Sequence, residues 1–135
     1  MQSEAEIWAT VTSIFESFAA RSEAGIESRL ADDCTVWDVF EPELIRGREE
    51  REAFHGRDRA QSAARGPFSW NLVPLQASLF GDIAIARYYL DFEYQPPGAA
   101  KGRVRITDVL QRSATGWQII HHHEGLSPQG IPSLE

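Results

Sequence analysis

The second half of the chain is a run of four strand-like segments separated by short turns. The segments span residues 68–80, 82–95, 102–112 and 117–126. They alternate apolar and polar residues or are rich in β-branched and aromatic residues, which is typical of strands. The short connections contain glycine and are typical of hairpins, so the pattern predicts a long antiparallel meander.

The first half of the chain favours helices. Apolar residues between Ile7 and Phe18 recur every three or four positions, which predicts an amphipathic first helix. A short second helix is predicted near Ser22, then a short strand over 34–40. The stretch 48–65 has helical propensity but little apolar content, so its His55 is expected to be solvated, with closure over a cavity as the minor alternative. Helices followed by a meander predict an α+β fold, in which helices pack on one face of a curved sheet around a cavity.

Charge and composition exclude several classes of partner. A formal net charge of -7 leaves no basic surface for a phosphate backbone, so no nucleic-acid partner is expected. No apolar run is long enough to cross a bilayer, and the acidic start of the chain is unlike a signal peptide, so no membrane partner is expected. The single cysteine, Cys34, suits a reducing cytoplasm. The length suits one domain over 1–127, with 128–135 as a loose tail.

Two acidic residues lie among apolar neighbours in the predicted strands. Asp108 shares a strand face with Val104, Ile106 and Leu110, and Asp38 lies in the β-rich stretch "TVWDVF". A buried carboxylate has to be paired, hydrogen-bonded or protonated, because burying a bare charge is costly. Asp108 is therefore either part of an active site or the structural partner of an arginine. Asp38 is either a general base or a cap on the nearby turn.

Three consecutive histidines precede Glu124 in the last predicted strand. Alternation leaves open which face of this strand points inward. One face holds Gln118, Ile120, His122 and Glu124. The other face holds Trp117, Ile119, His121 and His123. Since His122 points away from its neighbours, only His121 and His123 could share a metal ion, and no third ligand is evident. No metal site is therefore predicted.

Four stretches of the chain carry a family resemblance: "LADDCTVWD", "GDIAIARY", "RVRITDVLQR" and "GWQIIHHHEGLSP". Their order and spacing resemble the NTF2-like superfamily, in particular its SnoaL-like and ketosteroid-isomerase-like branch, over nearly the whole chain. The last stretch, with "FEPELIRG" and "FHGR", is also similar to the association domain of calcium/calmodulin-dependent kinases. This fold hosts enzymes, binding proteins and oligomerisation domains, so the resemblance is more specific for the fold than for an activity.

The resemblance to ketosteroid isomerases implies roles for both acids. It puts Asp38 where those enzymes have a general base, and Asp108 where they have a protonated acid that donates to an oxyanion. The isomerases also carry a tyrosine in the first helix, whereas this chain has none there. A hydroxyl group would then have to come from Tyr88 or Tyr94.

The resemblance to the kinase association domains implies an orientation for the last strand. It turns the face of His122 and Glu124 toward the cavity and the face of Trp117 and Ile119 outward. An outer sheet face with tryptophan and isoleucine would suit a homodimer. Those domains have basic residues at the cavity positions where this chain has acids, so an anion-binding site of their kind is not expected.

These observations predict a cofactor-independent enzyme that transfers protons on a small apolar substrate with a carbonyl group, as an isomerase, cyclase or dehydratase. Asp38 would take the proton, Asp108 would stabilise the enolate oxygen, and His122 with Glu124 would relay the proton. The residues expected to bind substrate are Phe15, Phe18, Trp37, Phe54, Tyr88, Leu90, Phe92, Tyr94, Ile106, Leu110 and Ile120. Hydrolysis is a further option. The alternative class is a non-catalytic module that binds a ligand or assembles subunits.

Overall fold

The computed structural model describes residues 2–62 and 64–127, so the predicted tail over 128–135 lies outside the described residues. The helices are α1 (Gln2–Ala19), α2 (Glu23–Glu27) and α3 (Gly47–Ser62). The strands are β1 (Leu30–Trp37), β2 (Ile45–Arg46), β3 (Phe68–Phe80), β4 (Ile83–Tyr94), β5 (Ala100–Ser113) and β6 (Gly116–Leu126). None of the helices within the described ranges has the length and apolar character needed to span a membrane.

The strands form one six-stranded sheet in the order β2-β1-β6-β5-β4-β3. Strands β3 to β6 are antiparallel neighbours, as the hairpin turns predict. Two features were not predicted. Strand β1 joins the sheet parallel to β6, and the two-residue strand β2 forms between the predicted strand over 34–40 and the predicted helix over 48–65. The helices pack on this sheet, and the α+β fold is confirmed.

The concave face of the sheet packs against α1. Ala84, Ala86 and Tyr88 alternate along β4 and are buried, as the alternating pattern predicts. Ile7 and Val11 of α1 belong to the same core cluster and have no exposed surface. The apolar stripe of α1 and the apolar face of the sheet thus bury one another, which fixes the helix across the sheet.

The last strand does not keep the alternation that the sequence suggests. The register between β5 and β6 shifts at Ile120, which forms a β-bulge. Trp117 and Ile119 precede the bulge and are buried in the core, so the expectation that they face outward is wrong. The bulge exchanges the two faces, and His122 and Glu124 therefore point into the concave side as well. An uninterrupted strand would have turned only one of these pairs inward.

Candidate active site

A cavity of about 970 Å³ lies between the sheet and the helices. Its walls are mainly apolar and aromatic. Six of the residues predicted to bind substrate line it: Phe15, Phe18, Phe54, Leu90, Phe92 and Tyr94. A cavity of this size and lining suits a small organic molecule, because apolar walls bury most of such a ligand and a few polar groups orient it.

The other five residues predicted to bind substrate do not line the cavity. Tyr88, Ile106 and Leu110 are buried in the core cluster and are not among the residues that line the cavity. Trp37 faces outward, since alternation along β1 turns the residues on either side of it inward. Ile120 is displaced by the β-bulge described above.

His122 is the centre of a chain of hydrogen-bonded side chains. Its Nδ1 lies 2.5 Å from Oδ1 of Asp108, and its Nε2 lies 2.9 Å from Oε2 of Glu124. The hydroxyl of Tyr88 donates to Oδ2 of Asp108 at 2.6 Å. The register of the sheet produces this chain, because Asp108 of β5 is paired directly with His122 of β6.

The two carboxylates hold His122 as an imidazolium. Burial lowers the pKa of His122, but the charges and hydrogen bonds of Asp108 and Glu124 outweigh this effect and raise it well above its usual value. Burial would raise the pKa of Glu124, yet the adjoining His122 lowers it overall, helped by the backbone N–H of Val39 at 3.1 Å. In the described part of the chain no arginine contacts Asp108, so histidine and tyrosine satisfy this buried acid.

Asp38 follows β1 directly and lines the cavity close to Glu124. Its Oδ1 accepts the N–H of Phe40 at 2.8 Å, so one oxygen caps the turn after the strand. Burial, followed by the negative charge of Glu124, raises the pKa of Asp38 to about 6, against the opposing effects of Phe40 and His122. The carboxyl of Asp38 therefore gains and loses a proton near neutral pH, inside a largely apolar cavity.

Asp108 does not reach the cavity, because it is wholly buried and hydrogen-bonded to His122, which does line the cavity. The resemblance to ketosteroid isomerases implied instead that this acid contacts the substrate. The hydroxyl of Tyr88 is also engaged, by Asp108. Tyr94 is the tyrosine that lines the cavity, and burial raises the pKa of its hydroxyl, which keeps it protonated and able to donate a hydrogen bond.

A second polar cluster, which sequence reasoning missed, joins α3 to α2 and β1. Arg51 is buried, and its guanidinium donates to both oxygens of Glu27 at 2.9 and 3.0 Å. It also donates to the backbone carbonyls of Asp32 at 3.2 Å and Cys34 at 2.9 Å. His55 lies one turn further along α3, with its Nε2 3.1 Å from Glu27. Its side chain is 11% exposed, so the expectation that it is solvated is wrong.

The spacing of Arg51 and His55 is the sequence signal that could have revealed this cluster. Residues four apart share a helix face, and this helix offers few apolar residues with which to dock on the sheet. A buried arginine with a carboxylate partner is one way to dock such a helix. The partner, Glu27, is distant in sequence and could not be identified from the pattern.

The two flanking histidines of the run face away from the cavity. Nδ1 of His121 lies 2.6 Å from the hydroxyl of Thr35, and the ring of His123 lies 6.4 Å from that of Trp37. Over residues 2–62 and 64–127, no three His, Cys, Asp or Glu side chains are grouped as metal ligands would be. The bulge thus leaves His122 as the member of the run that contacts the cavity.

Comparison with known proteins agrees with this fold. The SnoaL-like domain family matches residues 7–127. An NTF2-like protein from Pseudomonas putida KT2440 is 23% identical, over 97% of this chain and 92% of that chain, with a TM-score of 0.77. A ketosteroid isomerase-like protein from Erwinia carotovora atroseptica SCRI1043 is 18% identical, over 92% and 96%, with a TM-score of 0.74. The CaMKII hub of S. rosetta is 18% identical, over 91% and 95%, with a TM-score of 0.72. A sequence search of curated proteins gave no match.

Proposed function

The chain belongs to the SnoaL-like domain family, and we propose that it transfers protons on a small, apolar, carbonyl-containing substrate. The reaction would be an isomerisation, a cyclisation or a dehydration. The observation that supports this most strongly is Asp38, whose pKa is raised to about 6 in an apolar cavity beside Glu124. A group whose pKa lies near the working pH is an effective general base, because it is ionised and still basic enough to take a proton.

Asp38 starts the proposed reaction. It removes a proton from the carbon next to the carbonyl group, and negative charge develops on the carbonyl oxygen. Tyr94 lines the same cavity and can donate its hydroxyl proton to that oxygen in a hydrogen bond. Asp38 then returns the proton to another carbon of the substrate.

The chain of hydrogen-bonded side chains around His122 offers a second path for the same proton, because Glu124 adjoins Asp38 and can relay the proton back to the substrate. The imidazolium of His122 shares a proton with Glu124, which reaches the cavity. Asp108 accepts the Nδ1–H of His122, and Tyr88 fixes the carboxyl of Asp108 from the other side. Asp108 and Tyr88 are therefore positioning residues in this proposal, which keep the ring oriented and charged.

The proposed reaction uses side chains of the protein alone and requires no cofactor. We place it in the cytoplasm. Cys34 is buried, and burial raises the pKa of its thiol to about 12, which keeps it in the unreactive thiol form. A chain with a single, unreactive cysteine suits a reducing compartment, where disulfides are rare.

The experiment that tests the proposal measures exchange of α-protons for deuterium in D₂O by NMR, with phenylacetone and 2-tetralone as probes. The exchange rate should rise with pH as Asp38 ionises and level off above a midpoint close to pH 6. It should stay level until His122 loses its proton, because the pKa of His122 lies well above its usual value. The proposal would be contradicted if the protein exchanged the α-protons no faster than buffer alone does. It would also be contradicted if the exchange rate rose in proportion to the hydroxide concentration over the whole pH range.

The outer face of the sheet is the basis of a second proposal, that the protein forms a homodimer. The similarity to the CaMKII hub favours assembly of subunits. Trp117 and Ile119 cannot contribute, since both are buried. Trp37, which is 39% exposed, and the partly buried cross-strand neighbours Ile85 and Val109 remain on this face.

Sedimentation equilibrium should therefore give twice the chain mass for the parent protein. Trp37→Arg should give a monomer, because it puts an unpaired charge into the proposed contact. Leu75→Lys is the matched control: Leu75 is also exposed but lies on the edge strand β3, and its replacement should leave the mass unchanged. A monomeric parent, or a dimer that persists in Trp37→Arg, would disprove this interface.

A further inference from the structure

The helix α3 brings a second histidine–carboxylate pair to the cavity, which the mechanism above does not use. His55 lines the same cavity as Asp38 and His122. Its Nε2 contacts Oε2 of Glu27 at 3.1 Å, and the side chains of both residues are largely buried. The pair comes from α2 and α3, whereas Asp38 and His122 belong to the sheet side of the cavity. The two sets of groups therefore approach a bound molecule from different directions.

The bonding of Glu27 fixes which nitrogen of His55 is free. Burial raises the pKa of Glu27, but hydrogen bonds from Arg51 and His55 lower it overall, so Glu27 is a carboxylate. A carboxylate accepts hydrogen bonds and cannot donate them, so Nε2 of His55 is the donor. Among the hydrogen bonds of residues 2–62 and 64–127, none involves Nδ1 of His55. This nitrogen is available to a ligand in the cavity.

The contact with His55 is not required to satisfy Glu27. Arg51 already donates to both carboxylate oxygens. The shared oxygen, Oε2, accepts from His55 in addition. The contact therefore does more for the histidine, whose ring it orients and whose Nε2 proton it holds, than for the carboxylate. Orienting a ring through one nitrogen is how a carboxylate prepares a histidine for proton transfer at the other.

We propose that His55 is a general acid and that the substrate is a β-hydroxy carbonyl compound, from which the protein eliminates water. This rests on the proton abstraction by Asp38 proposed above. Hydroxide is a poor leaving group, so an elimination of water needs a proton donor at the β-hydroxyl as well as a base at the α-carbon. Asp38 on the sheet side is the base, and His55 on α3 is the acid. Because the site holds both groups, we infer that the reaction is a dehydration and not an isomerisation or a cyclisation.

The proton and electron balance of this step is complete within the site. Asp38 takes the α-proton, and the electrons of the C–H bond form the carbon–carbon double bond. The C–O bond breaks with its electrons. In this step His55 acts as an imidazolium with a proton on each nitrogen: it gives its Nδ1 proton to the departing oxygen to form water and keeps its Nε2–H on Glu27. The proton on Asp38 then returns to His55 through solvent. The substrate yields an α,β-unsaturated carbonyl compound and water, with no other reactant.

The test compares two leaving groups in the parent protein and in His55→Gln. The probes are the N-acetylcysteamine thioesters of 3-hydroxy-4-phenylbutanoic acid and of its 3-acetoxy analogue, followed by absorbance of the enoyl product. The amide N–H of glutamine takes the position of Nε2 and keeps the contact with Glu27, but it cannot transfer a proton. We expect kcat for the hydroxy thioester to fall about 10²–10³-fold. The acetoxy thioester should change less than about threefold, because acetate leaves without protonation.

Leaving-group dependence separates catalysis from a structural role of His55. A residue that only fastens α3 to α2 would slow both thioesters alike, and that result would overturn the proposal. His121→Gln makes the same replacement on the outer face and should affect neither rate. If the parent exchanges α-protons but does not eliminate water, this inference fails and the proposed function stands. If it does neither, both fail.

Discussion

Asp38→Asn is expected to lower the rate of α-proton exchange by about 10²–10⁴-fold, the usual contribution of a general base. The amide retains an oxygen that can accept the N–H of Phe40, so the turn after β1 can keep its conformation. It cannot accept a proton from the substrate. The rate is measured by the NMR exchange assay at about pH 8, where the Asp38 carboxylate of the parent is fully ionised.

The same substitution is expected to stabilise the fold at that pH. The pKa of Asp38 rises from an ordinary 3.8 to about 6 in the folded protein, so the folded state holds this proton more tightly than the unfolded state does. The ionisation of Asp38 therefore leaves the free energy of unfolding unchanged below about pH 4. It lowers the free energy of unfolding progressively as the pH rises and reaches its full effect above about pH 6. The difference between the two pKa values corresponds to about 3 kcal/mol.

Urea denaturation should therefore show an increase in the free energy of unfolding of about 1–3 kcal/mol for Asp38→Asn at about pH 8, and little change near pH 4. Lost activity with gained stability is the signature of a residue kept for chemistry. Asp33→Asn is the matched control, because Asp33 is exposed on the same strand and should alter neither quantity. A variant that loses stability at about pH 8 would show that Asp38 serves the fold.

The two acids of the site could be found from the sequence, but their partners could not. A charge in an apolar row needs an explanation wherever the strand lies, and this reasoning holds for Asp38 and Asp108 without a structure. An arginine was the partner considered for Asp108, whereas the structure provides Tyr88 and His122. Both lie on neighbouring strands, and the alternation within one strand contains no information on the register between strands.

Two irregular features of the sheet assemble the site, and neither has a local sequence signal. The β-bulge at Ile120 turns His122 inward although Ile119 is also buried. The parallel pairing of β1 with β6 aligns Val36 with His122, so Asp38 and Glu124, two residues further on, become neighbours. Hairpin turns predict the pairing of consecutive strands only, and β1 and β6 are separated by most of the chain.

The polar cluster at α3 gives the largest expected effect on stability. Arg51→Met keeps much of the apolar length of the side chain and removes the guanidinium. We expect the free energy of unfolding to fall by about 3–5 kcal/mol, because the change leaves the buried carboxylate of Glu27 without its cation. The carbonyls of Asp32 and Cys34 also lose their donor. The irregular register of β1 with β6 between Leu30 and Thr35 explains why these carbonyls depend on a side chain.

Urea denaturation of three variants separates the charge from the packing in this cluster. Arg48→Met removes an exposed arginine from the same helix and should leave stability nearly unchanged, since exposed ion pairs contribute little. Adding Glu27→Gln to Arg51→Met removes the stranded charge, so the double variant should be more stable than Arg51→Met alone. If the double variant is instead the less stable of the two, the guanidinium acts mainly through the carbonyls of β1. The cost of Arg51→Met would then lie in unsatisfied backbone and not in a buried charge.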